Sequence, residues 1–164
     1  WQVRRKAVLL APTGRAAKVI TRYAKHEAYT IHKKIYHPKK QSNGSVAFVK
    51  QPNKHQHTLF FVDEASMIAD SQQNENLFDK QSLLADLIDY VYSGLNCHLV
   101  FIGDTAQLPP VKSLDSPALA PDHIQFNYDK DVSFVELNQV MRQAAHSGIL
   151  NNATLIREVQ EQAM

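Results

Sequence analysis

The segment TLFFVDEA (Thr58–Ala65) constrains this chain more than any other, because an unbroken apolar run ends there on two adjacent carboxylates, Asp63 and Glu64. A strand without polar alternation is not half-solvated; such runs belong to parallel sheets covered on both faces. VRRKAVLLA (Val3–Ala11) has the same character after a charged start, and HLVFIGD (His98–Asp104) again ends on an acid. VSFVEL (Val132–Leu137) reads as a further strand. Helical spacing lies between them: Ala16, Val19, Ile20 and Tyr23 within Arg15–His26, a short IHKKIYH behind Thr30 as N-cap, and SLLADLIDYVYSG (Ser82–Gly94) stopped by its glycine. HSGILNNATLIREVQEQ reads as mostly helical and SQQNENLFDKQ as a polar loop. Strands alternating with helices predict a three-layer α/β fold around a mainly parallel sheet. One stretch departs from this plan. YHPKKQSNGSVAFVKQ carries Asn43-Gly44, a strong hairpin signal, ahead of the alternating Val46, Phe48 and Lys50, and so predicts a polar β-hairpin within residues 36–57.

The 164 residues suffice for one domain with a real core. No apolar run approaches the roughly 18 residues of a membrane span, so no membrane partner is expected. The one cysteine, Cys97, excludes an internal disulfide and fits a reducing, cytoplasmic setting. At the head of the apolar run CHLVFI it is expected to be a buried small hydrophobe. The net charge of +2 hides a strong polarity: residues 1–57 hold 13 Lys/Arg against one acid (13 − 1 = +12), and residues 58–164 hold 5 against 15 (5 − 15 = −10). Such asymmetry points to a phosphate-rich partner at the basic part; a solvated basic face is the alternative. Five of the eight histidines lie in that basic part at no metal-ligand spacing, so structural or surface roles are expected for them.

Open parallel sheets bind ligands beyond the carboxyl ends of their strands. Thr13, Asp63-Glu64 and Asp104 all follow apolar strands and would share that edge. Acids in such a place call for a cation, and Mg²⁺ takes one or two carboxylates together with phosphate oxygens and water. A second acid can then orient or deprotonate a water. Gln107, in GDTAQLPPV, offers both a donor and an acceptor to a terminal phosphate. Arg142, in LNQVMRQ, offers a guanidinium that could neutralise charge in phosphoryl transfer.

APTGRAAK (Ala11–Lys18), TIHK (Thr30–Lys33), VDEASM (Val62–Met67), GDTAQLPPV (Gly103–Val111) and LNQVMRQ stand in the order of motifs Ia, Ib, II, III and IV of superfamily 1 DNA helicases. The chain resembles that family from about Val3 to Gln143, and most of all its 5′-to-3′ RecD and Dda branch. The resemblance implies a RecA-like (P-loop NTPase) fold that uses ATP and Mg²⁺ and moves on single-stranded or fork DNA. It further implies that Asp63 holds Mg²⁺ through water, that Glu64 activates the attacking water, that Gln107 couples the γ-phosphate to DNA and that Arg142 contacts the γ-phosphate, with Asp104 beside them. Pro12, Thr13, Arg15, Thr30 and His32 would line the DNA path. The hairpin would be the strand-separating 1B pin, with Lys39 and Lys40 on DNA and Phe48 as a base-stacking surface or as cover for its own root. RecBCD-like nuclease subunits are a partner class that the resemblance brings with it.

A phosphate loop needs G-x-x-x-x-G-K-[ST], and the glycines Gly14, Gly44, Gly94, Gly103 and Gly148 include no pair five apart. Walker A and motifs V and VI are therefore expected outside this segment, which reads as part of RecA-like domain 1A with its pin. In the family the phosphate-loop strand lies between the motif III strand and the one resembling Val132–Leu137, so the edge at His98–Gly103 is expected to be covered by another segment or molecule. Two other readings stay open: a catalytically inert module that binds single-stranded nucleic acid, and a non-helicase ATPase with convergent motifs.

Overall fold

Along the chain run β1 (Lys6–Ala11), α1 (Gly14–Ala24), β2 (Ala28–Thr30), α2 (Ile31–Ile35), β3 (Tyr36–Lys40), β4 (Val46–Lys50), β5 (Thr58–Val62), α3 (Leu83–Tyr92), β6 (His98–Phe101) and α4 (Pro121–Tyr128). The computed structural model describes residues 6–40, 44–71, 82–111, 113 and 115–137. The chain divides into two units, Trp1–Val132 and Ser133–Met164. All the elements named belong to the first.

Four strands form a parallel sheet in the order β2-β1-β5-β6, and β3 and β4 form a separate antiparallel hairpin. In register, Leu10 pairs with Val62 and Val62 with Phe101, while Val8 pairs with Phe60 and Phe60 with Leu99. These positions share one face. Leu10, Phe60 and Val62 are fully buried there with Leu84, Leu87 and Val91 of α3 and Ile31 and Ile35 of α2. The opposite face carries Leu9, Leu59, Phe61 and Val100, which are half-buried. Both faces are thus covered among the described residues, one fully and the other partly.

Local chemistry explains the helix starts. Thr13 Oγ1 accepts from Ala16 N at 3.2 Å, Thr30 Oγ1 from Lys33 N at 3.2 Å, and Ser82 Oγ from Ala85 N at 3.0 Å. Each caps a helix and satisfies an otherwise orphaned first-turn donor. Behind α3, a Cβ on Gly94 would sit 2.5 Å from Asn53 Nδ2 and 2.9 Å from the His55 carbonyl oxygen, so only glycine admits this close approach.

α4 is held by one carboxylate. Asp70 Oδ1 accepts from Ser82 Oγ and from Tyr128 OH, each at 2.5 Å, and Oδ2 lies 2.5 Å from His123 Nε2. Burial pushes the Asp70 carboxyl up, but the hydrogen bonds from Ser82, Tyr128 and His123 outweigh it and leave its pKa below the ordinary 3.8. A depressed carboxylate stabilises the fold fully above its unfolded value, and that contribution is lost as pH falls through the folded one. Asp70→Asn is therefore expected to cost about 1–2 kcal/mol at neutral pH and progressively less as the pH drops below about 4. Urea melts of the two proteins at pH 7 and pH 3 check it; a gap that does not narrow in acid would remove Asp70 from the acid response.

Several expectations meet the structure differently. Val132–Leu137 forms no strand: residues 131–137 carry no regular structure, and Phe134, Val135 and Leu137 are exposed. A strand exists through its ladder and its burial, and this apolar alternation has neither among the described residues. β6 ends at Phe101, before Asp104. Among the described residues no strand pairs with the outer side of β6. β2 and α4 escaped prediction, β2 because it has three residues and α4 because its apolar periodicity is weak; Pro121 at its first position was the available signal. Asn43, most of the loop read from Ser71 to Gln81, and the helix expected after His146 lie outside the described residues.

Candidate functional site

The carboxyl ends of β1, β5 and β6 lie side by side at one sheet edge. Main-chain bonds lock them together beyond the strands: Asp63 N donates to Leu10 O at 3.0 Å, Ile102 N to Val62 O at 2.8 Å, and Ala65 N to Ile102 O at 3.0 Å. The segment that leads into Thr13 and the segment bearing Asp63-Glu64 are thus direct neighbours.

The turn after β5 is built around Glu64. This residue has φ 55° and ψ 38°, the left-handed region, and starts a 3-10 turn, Ala65–Met67. Its N–H donates to Asp63 Oδ1 at 3.0 Å. A left-handed glutamate is strained by roughly 1–2 kcal/mol, and strain of this kind gathers at functional sites. Glu64→Gly is expected to stabilise the chain by about 0.5–1 kcal/mol, since glycine enters this region without a Cβ clash. Chemical denaturation reads this directly; a destabilised variant would mean that the carboxylate itself holds the turn.

Asp63 and Glu64 are half-buried, and among the described residues neither forms an ion pair with a cationic side chain. Asp104, in the turn that follows β6, spends Oδ1 on Ala106 N at 3.0 Å, and its carbonyl accepts from Gln107 N at 3.1 Å. This tight turn leaves Gln107 exposed. Gly103 is squeezed against the 3-10 turn, where a Cβ would come within 3.2 Å of Ala65 N and Ser66 N. The three carboxylates do not converge: no group of three or more metal-ligating side chains exists among the described residues. A Mg²⁺ ion still fits the donor set, since it takes hard carboxylate oxygens one or two at a time and completes its shell with phosphate and water.

Ser66 was not picked out beforehand. It is fully buried in the turn after Glu64, and its Oγ has no hydrogen-bond partner. Its only signal in the sequence is a hydroxyl set between Ala65 and Met67.

On the basic side, the edge gathers some of the expected residues. Ala11 pairs with Thr30, so α1 and α2 start from adjacent strand ends with Thr13 and Thr30 as caps. Pro12 and Thr13 are half-buried and Arg15 is exposed. His32 is half-buried with its ring 5.8 Å from Tyr36, and burial lowers its pKa, favouring the neutral imidazole. Lys33 and Lys34 place their ammonium groups 5.7 and 5.3 Å from the Tyr29 ring centre. In the hairpin, Pro38 pairs with Phe48, Lys39 with Ala47 and Lys40 with Val46. Alternation then puts Lys40 on the Phe48 face and Lys39 on the other. Phe48 is 37% exposed. Arg142 lies outside the described residues.

A parallel sheet with acids at its carboxyl edge and a hairpin set off from it is the arrangement of an incomplete RecA-like domain. The sequence profile of the AAA domain family matches residues 1–113, and the chain belongs to that family, whose character is that of a helicase-like P-loop NTPase. No curated protein matches the chain. No helix among the described residues is long and apolar enough to cross a membrane.

Proposed function

We propose that this chain is the DNA-facing and water-activating part of an ATP-dependent DNA helicase of the RecD/Dda type, which translocates on single-stranded DNA and opens duplexes in repair, recombination or replication. The observation that carries this reading is the Asp63 N to Leu10 O bond: it ties the turn with the candidate hydrolytic acids to the strand that leads into the candidate DNA-binding helix start. A change at the nucleotide edge then has a one-strand path to the DNA edge.

Each group has a task in this reading. Asp63 would hold Mg²⁺ through water, and the ion when bound offsets phosphate charge. Glu64 takes a proton from the attacking water. Gln107, exposed at the tip of its turn, reaches the terminal phosphate. α1 starts beside the exposed Arg15, and the N-terminal end of a helix dipole suits a DNA phosphate. The β3–β4 hairpin serves as the pin, with Lys40 and Phe48 on one face. The rest of the phosphate cradle belongs to a phosphate loop whose sequence is not among these residues.

The test is binding of a fluorescent single-stranded oligonucleotide to the 164-residue chain over a salt series, with ATP hydrolysis measured in parallel. Micromolar affinity is expected, falling with salt, and Lys40→Ala should lower the slope of log K against log salt by about 0.7. An unchanged slope would take Lys40 off the DNA. Absence of any DNA affinity would defeat the reading as a whole. DNA binding by an intact protein that never hydrolyses ATP would favour the second reading, an inert single-stranded nucleic-acid-binding module, to which the basic first third already lends support.

A further inference from the structure

Tyr36 and Lys50 are the first pair of the β3–β4 ladder and project from one face of the hairpin. Both reach the same carboxylate on α3: Tyr36 OH donates to Asp86 Oδ2 at 2.5 Å, and Lys50 Nζ donates to Oδ1 at 2.8 Å. Asp86 is fully buried. Lys50 also reaches Asp89, one turn along α3, at 3.2 Å. Directly after β4, Gln51 N donates to Ile35 O at 2.8 Å.

A buried carboxylate at a hairpin root is expensive to desolvate, and apolar residues would fill the space at less cost. What the polar arrangement adds is direction. One bond from each strand to the two oxygens of a single carboxylate fixes both tilt and rotation, which apolar contact leaves loose. The leverage is large. A five-residue strand is roughly 17 Å long, so a ~10° rotation at the root moves the tip by ~3 Å, close to the rise of one base along a strand.

We infer that Asp86, Tyr36 and Lys50 form a positioning clasp that sets the orientation of the β3–β4 hairpin against α3, and so determines where the Pro38–Phe48 and Lys40–Val46 pairs meet a duplex junction. The junction role rests on the DNA reading above; the clasp does not. Lys50→Met keeps the length of the stem and removes the charge, and Lys50→Arg is the conservative rescue. Asp89→Asn, at the outer contact, serves as the mild control.

Two readouts on the 164-residue chain separate the claims: amide exchange of the hairpin, and affinity for forked against plain single-stranded oligonucleotides. In Lys50→Met, exchange across β3 and β4 should quicken by about tenfold while β1 and β5 stay protected. Its preference for the fork should fall by about tenfold with single-strand affinity held within about twofold, and Lys50→Arg should restore both. Unchanged hairpin exchange in Lys50→Met overturns the clasp. Quickened exchange with fork preference intact overturns the positioning role. A wild-type chain that binds neither DNA removes the junction role together with the DNA reading, while the exchange arm still decides the clasp.

Discussion

Asp86→Ala is expected to destabilise the chain by about 3 kcal/mol, seen as a lower urea midpoint with an unchanged m-value. The carboxylate is fully buried and holds both Tyr36 OH and Lys50 Nζ. Its removal takes a hydrogen-bond acceptor from the Tyr36 phenol, leaves a cavity and gives Lys50 only the outer Asp89. Burial pulls the Lys50 ammonium down in pKa, yet the hydrogen bonds to Asp86 and Asp89 outweigh that and leave it raised above 10.5. A raised lysine stabilises the fold below its unfolded value, so the clasp is intact at neutral pH and weakens only as the solution passes into strong alkali. Asp86→Asn keeps an acceptor for Tyr36 and should cost about half as much. Replacing all three partners by Leu, Phe and Met should come close to neutral, because the desolvation cost disappears with the bonds. An Asp86→Ala protein as stable as wild type would mean that the network adds no net stability, whatever its role in direction.

Glu64→Gln is the variant with the largest expected effect on activity. In a protein where this segment works beside a phosphate loop, turnover of ATP should fall by about 10²–10⁴-fold while ATP affinity changes by less than about twofold. The amide keeps the size of the side chain and loses only its basicity. Glu64 stands on a left-handed turn locked to both neighbouring strand ends, so the substitution leaves the turn as it is. Stopped-flow nucleotide binding with steady-state hydrolysis distinguishes loss of chemistry from loss of binding. A variant that retains hydrolysis takes Glu64 out of the proton transfer and passes the role to Asp63 or Asp104.

How much of this was legible beforehand differs between elements for physical reasons. The apolar strands of Lys6–Ala11, Thr58–Val62 and His98–Phe101 announce themselves, because burial on a parallel sheet demands unbroken apolar runs. The caps Thr13, Thr30 and Ser82 are equally local, since a helix start asks for a side-chain acceptor within three residues. Val132–Leu137 has the composition of a strand and lacks the ladder, and composition carries no information about whether a neighbour is there.

The candidate site divides in the same way. The sequence by itself determined that Asp63 and Glu64 directly follow a buried strand and that Asp104 and Gln107 come after the next one. Tertiary structure alone decided the left-handed backbone at Glu64, the buried hydroxyl of Ser66 and the separation of Lys39 from Lys40 onto opposite faces. It alone also joined Asp86 to Tyr36, 50 positions away in the chain, and Asp70 to Tyr128, 58 positions away. Hydrogen bonds across such separations depend on how packed elements meet, and local sequence pattern encodes which face is apolar without saying which polar atom will lie opposite it.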